Sequence, residues 1–335
     1  MMRMMNRILH FVVLTMAFAL NAPVAFSADV PSLSLPLKCK LGVDCWIQNL
    51  VDFDAGPGWR DPFCGTASFN KHKGTDFRVR SIPDLKKNVP VYAMVAGKVV
   101  GLRNSMEDNL VEGDKDIAAI KGKECGNGVM VEVGKGWTTQ YCHMAKGSVS
   151  VKKGDTIKRG DVLGMVGLSG HTTFPHIHVT IRKGKKVIDP MTGLAQNAGC
   201  SVQKGLNEKS LWDTSVRKQI TGEPSALIAT GFTSARVKSS QVLKGEVPKA
   251  EQKGPLIFYA NFINLKKGDR VALIINGPDG TFVESKGKPL AGPKAVWTAF
   301  SGKRGGVPSG TYSGITKLIR DGEVVTESEA VEISF

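Results

Sequence analysis

The sequence has few features of a membrane, fibrous or disordered protein. After Leu20 it contains no long uninterrupted apolar run, which argues against a membrane-spanning helix. Its 38 glycines and 16 prolines are spread along the chain, which excludes a collagen-like repeat and extended disorder. Histidine is absent after residue 178 and cysteine after residue 200. The chain of 335 residues is therefore expected to be globular, with room for about two domains.

Aromatic residues are also scarce, at 7% of the chain, and they are not interleaved with basic residues. A stacking platform for single-stranded nucleic acid needs that interleaving, so we expect no nucleic acid partner. The chain has 45 Lys and Arg residues against 30 Asp and Glu residues, a formal net charge of +15. This charge favours an anionic partner or surface, such as an acidic cell-wall polymer.

The first 27 residues have the three-part form of a secretory signal peptide. Two arginines precede an apolar run from Ile8 to Leu20, and Ala25 and Ser27 provide the small residues before a cleavage site. We expect cleavage before Ala28, export to the periplasm or the medium, and no stable membrane insertion afterwards. No cysteine lies at the cut to accept a lipid. A retained segment that acts as a membrane anchor is the alternative.

The six cysteines all follow the signal: Cys39, Cys45, Cys64, Cys125, Cys142 and Cys200. An even number in an exported chain indicates disulfides. The segments 129–133 and 137–141 resemble two strands joined by the turn 134–136. This hairpin returns Cys142 to the chain beside Cys125, so we predict a bridge between them. The pairing of the other four cysteines stays open.

Hydrophobic patterning divides the rest of the chain into segments. Residues 28–70 form an irregular, cysteine-containing lead-in that is expected to pack on the domain after it. Residues 71–203 contain short apolar or alternating runs punctuated by glycine, which predicts an antiparallel β domain. Within it, Asn104 to Lys123 is expected to be an insertion or loop. Residues 204–223 are expected to be a linker with a short helix from Ser210 to Ile220.

Residues 224–335 contain several short strand-like runs separated by turn signals such as Asp321-Gly322. This pattern predicts an accessory β-sandwich of immunoglobulin-like type. No catalytic cluster occurs in this region, which favours a packing or binding module. Whether it binds cell wall, covers a groove or docks a partner protein is left open by the sequence.

Five histidines follow the signal: His72, His143, His171, His176 and His178. Because side chains alternate along a strand, His176 and His178 project from the same face, and both imidazoles can contact the same bound group. His72 and Asp76 form a second cluster. Gly74 between them favours an extended or turning backbone over a helix.

These two clusters offer the ligand types of a zinc site. Zinc accepts imidazole nitrogens and carboxylate oxygens, and a catalytic zinc keeps three protein ligands and one position for water. Such a site would generate hydroxide near neutral pH for a hydrolytic reaction. The residues alone do not decide which imidazoles bind the metal, and an isolated His-x-His also suits an ordinary strand.

A series of short motifs occurs in order between His72 and Pro190. The motifs are His72-x-Gly74-x-Asp76, Pro90-Val91-x-Ala93, Gly97-x-Val99, Gly128-x-x-Val131, Tyr141-Cys142-His143-Met144, Val151-x-x-Gly154-Asp155, Lys158-x-Gly160-Asp161-Val162-Leu163-Gly164, Gly167-x-Ser169-Gly170 and Pro175-His176-x-His178. Together they resemble the zinc metallopeptidases of the lysostaphin and LytM type, the peptidase M23 family.

The resemblance implies a role for each of five residues. His72, Asp76 and His178 would bind Zn²⁺, and His143 and His176 would lie beside the water that the metal activates. It also implies an all-β fold with an antiparallel LytM-like catalytic domain. The family hydrolyses peptide bonds of peptidoglycan, in stem peptides, crosslinks or bridges, so the chain is expected to be a peptidoglycan endopeptidase.

The chain departs from the family pattern in three places. The stretch from Asn104 to Lys123 is longer than the usual connection, Thr180 replaces a common acidic residue, and Thr173-Phe174 replaces a common Thr-Gly. These departures concern the substrate groove and its specificity rather than the metal site. His171 fits none of the family roles and is expected in a loop or groove.

Two other functions fit parts of the sequence. A non-enzymatic cell-wall binding protein or regulator of wall hydrolases would use the same fold, but relatives of that kind usually lack metal ligands, and none is missing here. The Pro90-Val91-x-Ala93 and Gly160–Gly164 motifs also resemble biotinyl, lipoyl and sugar-phosphotransferase domains. Those carriers work in the cytosol, which conflicts with an export signal.

Overall fold

A computed structural model describes residues 30–200, 206, 208–220 and 224–335. The predicted signal and its cleavage site lie outside these residues, as does part of the predicted linker. Within the described ranges the chain consists mainly of antiparallel strands with a few short helices. None of the described helices has the length and apolar character needed to cross a bilayer.

The N-terminal part of the described chain is built on one large sheet. The N-terminal part contains ten strands: β1 (Trp46–Asn49), β2 (Thr75–Arg78), β3 (Pro90–Tyr92), β4 (Gly97–Arg103), β5 (Asn127–Gly134), β6 (Trp137–Met144), β7 (Thr156–Ile157), β8 (Val162–Met165), β9 (His176–Lys183) and β10 (Lys186–Ile188). A 3₁₀ helix (Ile82–Lys87) and helix α1 (Asp114–Ala119) lie between them in the chain. Eight strands form an antiparallel sheet in the order β1-β2-β9-β6-β5-β4-β7, with β10 paired to β9. Strands β3 and β8 form a separate pair. The predicted antiparallel β fold is confirmed.

Strand β9 has a different role on each of its two faces. Ile177, Val179 and Ile181 are fully buried in the main hydrophobic core. His176 and His178 alternate with them and therefore project from the other face. The core thus fixes the strand, and the strand fixes both imidazoles.

The lead-in contains a strand that the sequence did not predict. Strand β1 pairs with β2 in antiparallel register, and Asn49 lies opposite Asp76. Leu33, Leu37 and Leu50, on either side of β1, are buried in the main core. A four-residue strand is too short to give a clear alternation, which explains why this segment was expected to be irregular. These contacts support the predicted packing of the lead-in on the residues that follow it.

The insertion between β4 and β5 is a loop with one short helix, α1, and not an added strand pair. Asp108 fixes it, because its carboxylate accepts hydrogen bonds from the backbone N–H groups of Lys146 and Leu168. The backbone N–H of Val111 donates to the carbonyl of Thr172. The insertion therefore lies along the loop that leads into His176.

The predicted short helix of the linker is present as α2 (Thr214–Gln219). Asp213 caps it, since its side chain accepts a hydrogen bond from the backbone N–H of Val216. Leu211 and Trp212, just before the helix, are buried in the core of the N-terminal part. This portion of the predicted linker is consequently packed structure.

The C-terminal part consists of two antiparallel sheets. Its elements are β11 (Ala226–Thr233), α3 (Ser239–Lys244), β12 (Leu256–Leu265), β13 (Arg270–Gly277), β14 (Gly280–Lys286), β15 (Lys294–Lys303), β16 (Thr311–Arg320), β17 (Glu323–Glu327) and β18 (Val331–Ser334). One sheet has the order β11-β12-β15, and the other has the order β14-β13-β16-β17 with β18 paired to β16. Phe258, Phe262, Ile275 and Leu318 are fully buried between them in a second core. The immunoglobulin-like type of this sandwich stays a prediction.

The turn signal Asp321-Gly322 joins β16 to β17 as expected. Both residues have positive φ, 52° for Asp321 and 90° for Gly322. Two successive positive φ values are typical of the tight hairpin turns whose twist matches the flanking strands. The local sequence therefore determines this hairpin.

The C-terminal part packs against strand β1. Trp46 packs with Ile228 and Ile263 in a small separate apolar cluster. The side-chain amide of Asn264 donates a hydrogen bond to the carbonyl oxygen of Gln48, at 2.7 Å. The two parts of the described chain are thus joined at the strand that borders β2.

All six cysteines form disulfides: Cys39–Cys45, Cys64–Cys200 and Cys125–Cys142. The predicted bridge between Cys125 and Cys142 is confirmed, and it spans the end of the β5–β6 hairpin. The Cys64–Cys200 bridge joins the lead-in to the far end of the N-terminal part. It is the longest connection, with a sequence separation of 136 residues.

Removing the Cys64–Cys200 bridge by a Cys64→Ser/Cys200→Ser double substitution should lower the free energy of unfolding by about 2–5 kcal/mol, because the long loop gains entropy in the unfolded chain. The matched Cys39→Ser/Cys45→Ser variant opens a loop of only six positions and should lose less. Urea unfolding of both variants and the wild type measures the difference. Equal losses would contradict the entropic origin.

Candidate metal centre

The side chains of His72, Asp76 and His178 meet on the face of the large sheet from which His176 and His178 project. His72 Nε2 lies 3.2 Å from Asp76 Oδ1 and 3.1 Å from His178 Nδ1, and His178 Nδ1 lies 2.8 Å from Asp76 Oδ1. His72 and Asp76 are each 2% exposed, and the side chain of His178 is 14% exposed. Three potential ligand atoms therefore converge at one nearly buried point.

The strand register brings these residues together. Asp76 on β2 is directly opposite His178 on β9, so their side chains share one face at the closest cross-strand distance. His72 reaches the same point through the turn before β2, where Gly74 is essential. A Cβ at residue 74 would lie 2.6 Å from His178 Nε2 and would also collide with the carbonyl oxygen of Val179.

In each of the three side chains, a polar atom that faces away from the cluster has a hydrogen-bond partner. His72 Nδ1 must donate to the carbonyl oxygen of Leu50, at 2.7 Å, because a carbonyl only accepts. Asp76 Oδ2 accepts a hydrogen bond from the Asn49 amide at 2.8 Å. His178 Nε2 lies 2.9 Å from the Thr180 hydroxyl. These contacts direct His72 Nε2, Asp76 Oδ1 and His178 Nδ1 toward one another.

The donor set fits a divalent metal ion. Ligand atoms bonded to zinc at roughly 2.0–2.2 Å in tetrahedral arrangement lie about 3.3–3.6 Å apart. The separations of 2.8–3.2 Å found here would need to widen by only about half an ångström. Two imidazole nitrogens and one carboxylate oxygen match the ligand types of such sites. His72, Asp76 and His178 could therefore hold one metal ion.

Two further imidazoles border the cluster. His176 Nε2 lies 3.5 Å from Asp76 Oδ1, and the ring centre of His143 is 4.6 Å from that of His176. His143 Nδ1 donates to the carbonyl of Ser169, and His176 Nδ1 donates to the carbonyl of Phe174, both at 2.8 Å. In each ring Nε2 is thus the nitrogen left to interact with a reacting group.

Burial and mutual repulsion keep these bordering rings neutral. Burial, followed by the neighbouring charges of His176 and His178, holds the pKa of His143 well below its usual value. Burial lowers the pKa of His176 to about 4. Both rings are consequently uncharged near pH 7, so Nε2 of each ring carries no hydrogen.

The carboxylate has the opposite environment. Burial alone would raise the pKa of Asp76, but the nearby His72 and His176 hold that pKa well below its usual range. For His72, burial is outweighed by Asp76, so the pKa of His72 is raised. An ionised carboxylate among imidazole nitrogens is the charge distribution that suits a cation.

All five residues that the sequence singled out for the site are therefore brought together. His171 is not among them. It is exposed on the loop before β9, where its backbone N–H donates to the carbonyl of Glu124. The expected loop position of His171 is observed.

Sequence reasoning missed the groups that hold the ligands from behind. The carbonyl of Leu50 has no sequence signal, because every residue has a carbonyl. Asn49 lies in the lead-in, where no strand was predicted. Phe69, whose ring centre is 4.3 Å from that of His72, is 48% exposed beside the site. In the sequence, the available signal for this neighbour was an aromatic residue three positions before His72.

Comparison with known proteins identifies the part of the chain that carries the site. Residues 70–190 match the sequence model described as peptidase family M23. Over 120 residues the chain is 29% identical to the peptidoglycan DD-endopeptidase ShyB of Vibrio cholerae, a match that covers 36% of this chain and 22% of that protein. Over 107 residues it is 32% identical to the peptidoglycan DD-endopeptidase ShyA of the same organism, covering 32% and 19%.

A crystal structure of a zinc-containing peptidase from Vibrio cholerae is also similar, with 25% identity, a TM-score of 0.28, and coverage of 43% of this chain and 39% of that one. The matches to the two endopeptidases span about a fifth of the length of those relatives. The family that the motifs indicated is confirmed for residues 70–190.

The metal-free protein should lose stability as the pH falls from about 6.5 to about 4. In this window the unfolded chain protonates His176 whereas the folded chain does not, so acid favours unfolding, by roughly 3 kcal/mol from this residue. Urea unfolding of chelator-treated protein across this range tests it. His176→Asn should show a shallower dependence, and parallel curves for the two proteins would contradict the assignment.

Proposed function

We propose that this chain, whose residues 70–190 are a domain of peptidase family M23, is a zinc endopeptidase that hydrolyses peptide bonds of peptidoglycan. The observation that carries the proposal is the convergence of His72, Asp76 and His178 beside two neutral imidazoles. The family match and the names of the relatives support the reaction and the substrate.

In this proposal His72, Asp76 and His178 hold the metal. When bound, zinc supplies a Lewis acid that polarises the scissile carbonyl and lowers the pKa of water. His72, Asp76 and His178 would hold the ion with two imidazoles and one carboxylate, the protein ligand types found in hydrolytic zinc sites.

His143 and His176 handle the proton. Because Nδ1 of each ring carries the hydrogen given to a backbone carbonyl, Nε2 has the lone pair that accepts a proton from the attacking water. The ring then has an Nε2–H that donates to the developing oxyanion and passes the proton to the leaving amine. The low pKa of both rings makes them neutral acceptors at the start of the reaction.

Two further observations support the proposed compartment and substrate. Three disulfides form in an oxidising environment, which supports export to the periplasm or the medium. A net charge of +15 favours an anionic polymer such as the cell wall. The complete ligand set favours catalysis over a purely regulatory role.

We also propose a domain organisation for the chain. Residues 71–203 form the catalytic domain, with residues 28–70 packed on it, and residues 224–335 form an accessory domain behind the linker 204–223. The contacts of Asn264 with Gln48, and of Trp46 with Ile228 and Ile263, support a fixed placement of the accessory domain against the lead-in.

The His178→Ala variant should lose both zinc and cleavage of peptidoglycan, because one of three ligands is gone. The matched His171→Ala variant removes an exposed imidazole from the same region and should retain both. Elemental analysis of the purified proteins measures zinc, and mass spectrometry of digested sacculi identifies the new termini and hence the bond that is cut.

Zinc and cleavage at the wild-type level in His178→Ala would show that the ligand assignment is wrong. If wild-type protein binds zinc but leaves sacculi from several bacteria intact, the endopeptidase proposal fails and the regulatory alternative replaces it.

A further inference from the structure

The two oxygens of Asp76 have different surroundings. Three imidazoles approach Oδ1: His178 at 2.8 Å, His72 at 3.2 Å and His176 at 3.5 Å. Oδ2 receives one hydrogen bond, from the side-chain amide of Asn49 at 2.8 Å. A carboxylate that binds a metal is ionised and only accepts, so the Asn49 group facing it is the NH₂.

We propose that Asn49 is a positioning residue for the metal centre, fixing the Asp76 carboxylate so that Oδ1 faces His72 and His178. The inference rests on the metal-binding part of the proposed function. The torsion of a carboxylate about its last bond is broad and nearly twofold, so Asp76 does not select one orientation by itself. A donor held at Oδ2 makes that selection.

The backbone of β1 is shaped to deliver this amide. The pairing runs from Trp46 opposite Arg78 to Ile47 opposite Phe77, and a regular ladder would then place Gln48 opposite Asp76. Instead the register shifts between Ile47 and Asn49, and Asn49 takes that place. A bulge of this kind inserts one residue and re-aims side chains, and bulges are frequent next to active sites.

The next residue acts on a second ligand. The carbonyl of Leu50 accepts from His72 Nδ1, the ring nitrogen that faces away from the cluster. Asn49 and Leu50 thus hold two of the three ligands from the side opposite the metal position. Outer hydrogen bonds of this type fix the orientation of metal ligands and raise their basicity.

The segment is also held firmly enough to act as a template. The Asn264 amide bonds the carbonyl of Gln48, and Trp46 packs on the C-terminal part. Beyond Leu50, the backbone N–H of Asp52 donates to the carbonyl of His72. Gln196, four residues before Cys200 in the sequence, donates to the same carbonyl through its side chain. A positioning group needs such support from its own neighbours.

The test is the zinc affinity of the metal-free full chain, measured by competition with a chelating indicator. Asn49→Leu has a similar size but no donor, and its dissociation constant for zinc should rise about 10–100-fold. Asn49→Ala serves as a second variant in case the leucine disturbs β1. Circular dichroism confirms that each variant is folded before the titration.

Asn104→Leu is the matched control. Asn104 also lies in the N-terminal part and loses two hydrogen bonds, both to Val149, but it contacts none of the three ligands. Its zinc affinity should equal that of the wild type. Cobalt-loaded Asn49→Leu should in addition show a changed visible absorption spectrum, because a reoriented carboxylate alters the coordination geometry.

The outcomes separate the two proposals. If the wild-type chain binds no zinc, the proposed function fails and this inference fails with it. If the wild type binds zinc and folded Asn49→Leu and Asn49→Ala bind it within twofold as tightly, only the role of Asn49 is overturned. An equal loss of affinity in Asn104→Leu would also overturn it, because the effect would then reflect general destabilisation.

Discussion

The cross-strand pair of Asp76 and His178 is the contact on which the site depends. Their opposition in the β2–β9 ladder places an ionised carboxylate where water is almost excluded. A buried charge of this kind is tolerated only with close partners, and here imidazoles and the Asn49 amide provide them. The buried aliphatic side chains on the other face of β9 fix the register, so the hydrophobic core and the polar centre specify the same strand pairing.

Much of this centre was accessible from the sequence. Alternation placed His176 and His178 on one face, and the order of the motifs indicated the family and the three ligands. The β5–β6 hairpin and the Cys125–Cys142 bridge followed from turn glycines and strand-like runs. In each case the information is local, because strand periodicity and tight turns are set by a few consecutive residues.

The parts that could not be predicted depend on tertiary contacts. Strand β1 has four residues and forms only because β2 offers an edge to pair with. The carbonyl of Leu50 acts through its position and has no residue type to reveal it. The Cys64–Cys200 pairing joins residues that only the folded sheet brings together, so spacing gave no means to choose it. Propensity and periodicity contain no information on such long-range encounters.

The Cys64–Cys200 bridge has a consequence for how the chain responds to proteolysis. His72, Asp76, His143, His176 and His178 all lie in the covalent ring that it closes. If another protease cuts one peptide bond within that ring, both fragments stay attached through sulfur and every imidazole stays on the same molecule. Exposed loops such as the α1 insertion are the places where such nicks concentrate. A single cut in this ring therefore removes none of the side chains of the candidate metal centre from the molecule.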